Sequence, residues 1–230
     1  MVRVINQAKV NSIKRIADEV LEIRISCPVG FSYLAGQFIQ LAIPGSAGEI
    51  LRSYSLSSYP AESELEFCVK LLPDGVGSNF FRALQVDDTI NFYGPAGRFS
   101  VPTEVNKPLV FIATGSGLAP IIGMISDSLR TRNISQPIQL LFGVRSTQDI
   151  FWAERLQKLA KEFSNFSYIT TLSQEPSEWT GKVGRVTTYL EILSNDAIYF
   201  ICGGSEMVSE VKQYLQTKEV PPTNIHLEIF

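Results

Sequence analysis

The hydrophobic pattern of this chain changes character near residue 103, and that change limits the folds open to it. Before it, apolar residues recur in short runs, VLEIRIS (20–26), QFIQLAI (37–43), LEFCVKLL (65–72) and TINFYG (89–94), separated by Gly, Pro, Ser and Asp clusters. Short strands with frequent turns predict an antiparallel β-domain, most simply a small barrel. SNFFRAL (78–84) is the best helical candidate in that half. After the change, continuous apolar runs LVFIAT (109–114), IQLLFGV (138–144), SYITTL (167–172) and AIYFICGG (197–204) alternate with helix-like stretches. Those stretches are GLAPIIGMISDSLRTR, residues 148–163 and a helix begun near Ser205; the chain closes on an apolar strand, IHLEIF. Strands that are apolar throughout, alternating with amphipathic helices, predict a doubly wound α/β domain with a five-stranded parallel sheet. The expected division is therefore two domains, 1–103 and 104–230, joined by a linker at 101–108 that Pro102 and Pro108 flank.

Charge and cysteine usage narrow the function. With 20 Lys+Arg against 23 Asp+Glu there is no basic field for nucleic acid and no acidic tail, so small or narrowly aimed partners are favoured. Three cysteines, Cys27, Cys68 and Cys202, stand far apart and offer neither a disulfide framework nor a C-x-x-C metal or iron–sulfur spacing. No metal site and no iron–sulfur cluster of the chain's own is expected. The first twenty residues mix charges with apolar positions, and no stretch approaches the ~18 apolar residues of a membrane span. These features predict a soluble, untargeted cytoplasmic protein in a reducing compartment.

Two glycine-rich turns follow strands of the second half. TGSGLAP (114–120) lets the backbone turn at Gly115 and Gly117, and Pro120 suits the first turn of the next helix. A helix N-terminus there presents free N–H groups to a phosphate. The turn is not the G-x-G-x-x-G fingerprint, since Pro120 takes the third place, and an ordinary tight strand-to-helix turn reads the same way. YFICGGSEM (199–207) repeats the arrangement. Two such turns at the carboxyl edge of one parallel sheet favour a dinucleotide.

In the first half, LRSYSLSS (51–58) places Arg52 and Tyr54 on one face of a strand. A ligand with a planar ring and a phosphate tail would use both, the ring on Tyr54 and the phosphate on Arg52. Ser55, at the strand end, could then reach a ring nitrogen. The plainer reading has Arg52 lying along the barrel surface and Tyr54 half-buried in its core. Further on, VKLLPDGVGSNFF (69–81) sets Gly75 and Gly77 before a short helix opened by Ser78, and GPAGRF (94–99) ends the β-domain.

RSYS, VKLLPDGVGSNF, GPAGRF, TGSGLAP, FGVRS, WTGKVGRV, CGGSEM and the terminal HLEIF stand in the order found in the ferredoxin–NADP reductase superfamily, which this sequence resembles over nearly its whole length. Each motif is permissive alone; eight in register are specific. The resemblance implies a flavin-binding barrel followed by a nicotinamide-nucleotide domain, with a hydride passing from NAD(P)H to flavin N5. It implies that Arg52 pairs with the flavin phosphate, that Tyr54 packs on the ring and that Ser55 bonds near N5, with Ser53 between them also binding the cofactor. By the same resemblance Val69 and Lys70 line the ribityl and phosphate path, and Gly77, Ser78 and Asn79 hold the pyrophosphate. Thr114, Gly115, Gly117, Ala119 and Pro120 would shape the nucleotide pocket, and Cys202, Gly203, Gly204 and Met207 would border the nicotinamide. Phe230 would cover the flavin and Glu228 would contribute to a proton path; alone, both could belong to a plain closing strand. Cys202 could likewise be inert packing. His226, the only histidine, reads as a surface or edge residue, and Trp179 and Gly181 as structural.

TTLSQEPSEW follows the third strand with Glu175 and Glu178 and no base before Lys182, which leans toward NADH; Arg145 in FGVRS keeps NADPH open. FAD is the expected flavin, with FMN possible. Three roles remain open: an NADH-dependent reductase feeding a separate ferredoxin or oxygenase component, a reductase that releases free reduced flavin, and an electron-transfer or regulatory subunit of a larger complex. Electron-transfer subunits of dihydroorotate dehydrogenase share the architecture implied but add a cysteine cluster that this sequence lacks.

Overall fold

The computed structural model describes residues 4–46, 48–174 and 178–230. Its first half holds β1 (Ile5–Ala17), β2 (Val20–Ser26), β3 (Phe38–Gly45), β4 (Gly48–Ser55), β5 (Glu64–Lys70), helix α1 (Val76–Ala83) and β6 (Thr89–Ala96). The strands lie in the order β4-β3-β6-β1-β2-β5, each neighbouring pair antiparallel. A bridge between Leu56 and Phe67 joins β5 back to the end of β4 and closes the sheet into a barrel. Inward residues alternate along each strand, as the pleat requires: Ile23 and Ile25, Ile39 and Leu41, Leu65, Phe67 and Val69 form one buried cluster with Phe81 of α1.

The second half alternates β7 (Leu109–Thr114), α2 (Leu118–Arg130), β8 (Ile138–Val144), α3 (Ala153–Glu162), β9 (Phe166–Leu172), β10 (Lys182–Val183), β11 (Ile198–Gly203), α4 (Ser205–Thr217) and β12 (Ile225–Ile229). All neighbouring strands are parallel, in the order β10-β9-β8-β7-β11-β12. The five expected strands are present, and the described residues add a sixth, the two-residue β10 at the edge. Phe111, Phe142 and Phe200 turn toward α2, α3 and the barrel, while Val110, Ile112 and Ile201 turn toward α4. Strands buried on both faces explain the unbroken apolar runs.

The structure corrects several boundaries. β1 was not expected, and α1 starts at Val76 with Gly75 as its N-cap, so Ser78 does not open it. The helix expected over 148–163 is a 3₁₀ turn, Thr147–Asp149, then α3; between them Trp152 takes a left-handed conformation, φ 57°. Between β6 and β7, Arg132 donates to the carbonyl oxygens of Val101, Pro102 and Thr103 and so ties down the connecting segment.

The two halves pack directly. Val20 and Cys68 of the barrel belong to the same buried cluster as Phe111 and Phe200 of the parallel sheet. At Gly123 of α2, an added Cβ would lie 2.9 Å from the Ser58 carbonyl oxygen, 3.2 Å from that of Leu56 and 3.3 Å from that of Ser57. Gly123→Ala should therefore destabilise the protein: overpacking of about 1–3 kcal/mol exceeds the ~1 kcal/mol that alanine adds to a helix interior. A thermal midpoint lower by roughly 2–4 °C is expected, and a raised midpoint would contradict the close approach.

Candidate functional site

β7, β8 and β9 advance to one side of the sheet, and the chain then returns to the other side of β7 to lay down β11 and β12. The reversal of order thus falls between β7 and β11, where open α/β sheets form a crevice at their carboxyl ends. Both glycine-rich turns are there. Gly115 is left-handed, φ +54°, and a Cβ on it would meet nothing within 4 Å; the same open space lies beside Gly204. At Gly203, φ +153°, a Cβ would overlap the Thr114 hydroxyl and crowd Met207 Cε at 2.9 Å, so Thr114, Gly203 and Met207 converge on one spot.

Gly117 has a different reason. A Cβ there would overlap the Cys202 carbonyl oxygen, so this glycine lets the β7 turn pack on β11. Ala119 and Pro120 are buried in the first turn of α2. Cys202 is buried beside Glu228, its partner across β11 and β12, and burial pushes its thiol pKa well up. That makes it a neutral packing group and a poor nucleophile. Arg145 is exposed just past the end of β8, with no carboxylate partner among the described residues. Glu178 is also exposed, and Glu175 lies outside the described residues.

On the barrel side, Arg52 pairs across to Leu41 and Tyr54 to Ile39, so the two side chains share a face, at the mouth of the barrel beside α1. Tyr54 is half-buried, its ring 5.1 Å from that of Phe81 edge-on and 5.6 Å from Phe67. Burial, partly offset by Arg52, raises the Tyr54 pKa to about 12, so the phenol stays protonated. A Cβ on Gly77 would lie 2.6 Å from the Tyr54 hydroxyl and 3.9 Å from Arg52 Cγ, which joins Arg52, Tyr54 and Gly77 in one cradle. Arg52 is exposed and bonds only its neighbour's carbonyl, Leu51 O, at 2.9 Å; it has no carboxylate partner among the described residues.

Other expected site residues already have partners or places within the barrel. The Ser78 hydroxyl is buried and accepts the Leu72 amide at 2.8 Å. Asn79 Oδ1 accepts Arg82 at 3.0 Å. Val69 turns into the barrel core, while Lys70 is exposed. Ser53 is exposed opposite Gln40. Neither α1 nor α4 has a side chain capping its N-terminus, so their first amides stay available to an anion.

The two sets meet. The Ser55 hydroxyl donates to Glu228 Oε1 at 2.9 Å, across 173 residues of sequence. Burial raises the Glu228 pKa and the Ser55 bond partly opposes that rise. Next to it the Phe230 amide donates to Gly203 O at 3.1 Å, which fixes the backbone while the ring stays half exposed. His226 lies on the edge strand β12, partly buried, with its ring stacked on that of Phe200 at 4.8 Å. Absent from the sequence reading were Glu66, Glu22, Trp152 and Arg155, which bind the two halves together near Ser57 and Ser58. The repeated serines of LRSYSLSS were the one signal for them.

An unpaired cation beside a half-buried aromatic ring and a helix N-terminus fits a flavin phosphate and ring, and open glycines at a switch point fit a nicotinamide dinucleotide. Known proteins agree. Residues 7–101 match the family described as oxidoreductase FAD-binding domain, and residues 111–213 the oxidoreductase NAD-binding domain. The toluate 1,2-dioxygenase electron transfer component of Pseudomonas putida is 30% identical over 97% of this chain and 67% of its own length. Ferredoxin–NADP reductase B of Sorangium cellulosum is 29% identical over 96% of each chain. The Amycolatopsis cytochrome P450 reductase GcoB superposes with a TM-score of 0.88 at 27% identity, over 100% of this chain and 71% of that one. This chain spans 58–67% of the length of three dioxygenase electron transfer components that it matches. A flavin cradle in a closed barrel, a nucleotide crevice in the sheet behind it and matches over both halves place this chain in the ferredoxin–NADP reductase superfamily.

Proposed function

We propose that this protein is an NAD(P)H-dependent flavoprotein reductase that passes electrons from NADH through FAD to a separate ferredoxin or oxygenase component. The observation that carries this reading is the Ser55–Glu228 hydrogen bond, which sets the flavin-cradle strand against the strands of the nucleotide crevice. FAD, when bound, supplies the ability to accept electrons as a pair and release them singly. The chain's residues then bind and orient. Arg52 and the α1 amides of Gly77, Ser78 and Asn79 hold phosphate, with Ser53, Lys70 and the backbone of Val69 along the path and Tyr54 beneath the ring. Thr114, Gly115, Gly117, Ala119 and Pro120 shape the nucleotide pocket from one side of the switch point, and Cys202, Gly203, Gly204 and Met207 from the other. Phe230 covers the ring, and Glu228, whose carboxyl accepts the Ser55 hydroxyl, contributes to the proton path. Arg145 is an exposed base immediately past β8, and NADH remains the preferred donor. The chain divides as 1–103 and 104–230 and works in the cytoplasm. No helix among the described residues is long and apolar enough to cross a membrane.

The test is an anaerobic visible spectrum of the FAD-loaded protein before and after one equivalent of NADH or NADPH. The flavin band should travel with the protein and bleach faster with NADH. A colourless protein that reduces added FMN would replace this reading with a free-flavin reductase, and no bleaching with any flavin would end both. Arg52→Ala should weaken FAD binding by about 10–100-fold, the loss of one charge-assisted bond, with an apo-protein midpoint within roughly 3 °C of wild type. Unchanged FAD affinity would remove Arg52 from the phosphate.

Glu228 adds a pH dependence. Its folded pKa lies above the ordinary 4.5, burial being the larger cause. The folded state thus holds the proton more tightly than the unfolded chain, and stability falls as pH rises through the raised value. Glu228→Gln escapes this, so its thermal midpoint should gain on wild type as pH climbs from about 4 toward neutrality. A difference between the two that stays flat with pH would contradict a raised pKa.

A further inference from the structure

Glu66 is the most deeply buried carboxylate described in the fold, its side chain fully shielded from solvent at the junction of the two halves. A buried charge is costly unless every lone pair is met. Glu66 Oε1 accepts Arg155 at 2.7 Å and the Ser57 hydroxyl at 2.7 Å, and Oε2 accepts Arg24. Its backbone N–H donates to Ser58 Oγ at 3.0 Å and its carbonyl accepts the Ser57 amide at 2.7 Å. Arg155 comes from α3 and the other partners from the barrel. The second guanidinium nitrogen of Arg155 also donates to the Ser57 carbonyl, at 3.1 Å.

One turn before Arg155, at the N-cap of α3, Trp152 donates its indole N–H to Glu22 of β2 at 2.6 Å. Arg155 stands over the Trp152 ring at 5.5 Å. Trp152 adopts φ 57°, an unfavourable conformation for a bulky side chain. Two side chains of one helix end thus grip two barrel strands, and one of them grips the segment that begins two residues after Ser55.

We propose that Trp152 and Arg155, with Glu22 and Glu66, form an interdomain clasp that sets the angle between barrel and nucleotide domain and so positions Ser55 against Glu228 for electron transfer. These are positioning residues, since none of them is among the residues assigned to the flavin or the nucleotide. Letting go of Arg155 leaves the buried Glu66 carboxylate with Arg24 as its one close cation and frees the Ser57 carbonyl, so the open arrangement is disfavoured and the crevice keeps one width. Transfer between two planar groups is sensitive to that width, since misplacement by about 1 Å can cost on the order of 10²-fold in rate. The inference rests on the reductase reading, and its test separates the two.

The experiment compares FAD-loaded wild type, Arg155→Met and Trp152→Phe, the last keeping the ring but losing the donor. Three quantities are measured anaerobically: FAD affinity, nicotinamide affinity, and the single-turnover rate of flavin bleaching at saturating NADH. A fourth is the distance distribution between nitroxides at Val29→Cys and Lys218→Cys in a Cys27→Ser background. Arg155→Met should slow bleaching by about 10–100-fold and broaden the distance distribution, with both affinities within about twofold. Trp152→Phe should move the rate and the distances the same way by a smaller factor, which keeps the claim testable if Arg155→Met does not fold. An unchanged rate and distribution in the folded variants would overturn the clasp, as would a rate loss fully accounted for by lost FAD. Failure of wild type to bleach would instead overturn the reductase reading, while the distance measurement would still decide the clasp.

Discussion

The hydrogen bond from Ser55 to Glu228 is the contact on which the rest of this structure converges. It joins the last residue of β4, the strand of Arg52 and Tyr54, to the edge strand β12, one strand out from where the strand order reverses. Neither half is complete alone. The barrel supplies a cation, a phenol and a helix N-terminus, and the sheet supplies open glycine backbone and the C-terminal aromatic. A hydroxyl donating to a half-buried carboxyl fixes direction as well as distance, because each group has few other partners at that depth.

Backbone proximity makes this convergence possible. Gly123 lets α2 approach the carbonyl oxygens of 56–58, Gly117 lets the β7 turn lie on β11, and Gly77 lets α1 approach the Tyr54 hydroxyl. At these three places a side chain would hold apart elements that the site needs together. At the carboxyl end of the parallel sheet Gly115 and Gly204 instead face open space, which leaves room for a ligand's phosphates there.

Much of this was legible in the sequence. Apolar runs with turn residues identified the barrel strands, and runs apolar on both faces identified the parallel sheet, because burial on one or two sides leaves different periods. β1 escaped because a 13-residue strand that pairs with both β6 and β2 carries irregularities between Val10 and Ser12 and between Arg15 and Ala17, which break its alternation. The two-residue β10 is too short to leave a pattern. Arg52, Tyr54 and Gly77 could be linked because they belong to ordered motifs. Ser78 could not be resolved between a cap and a loop staple, since a serine at a helix start suits both. The Glu66 network was invisible because its members, Glu22, Arg24, Glu66, Trp152 and Arg155, choose their partners only after both domains have folded.

The account's central claim is that one flavin site is built from both domains. Hydrogen–deuterium exchange of the apo protein with and without saturating FAD tests it most directly. Binding should slow exchange in 52–55, in 75–79 and, across the domain junction, in 228–230, with α4 little changed. Slowing confined to the barrel segments, with 228–230 unaffected, would contradict a jointly built site.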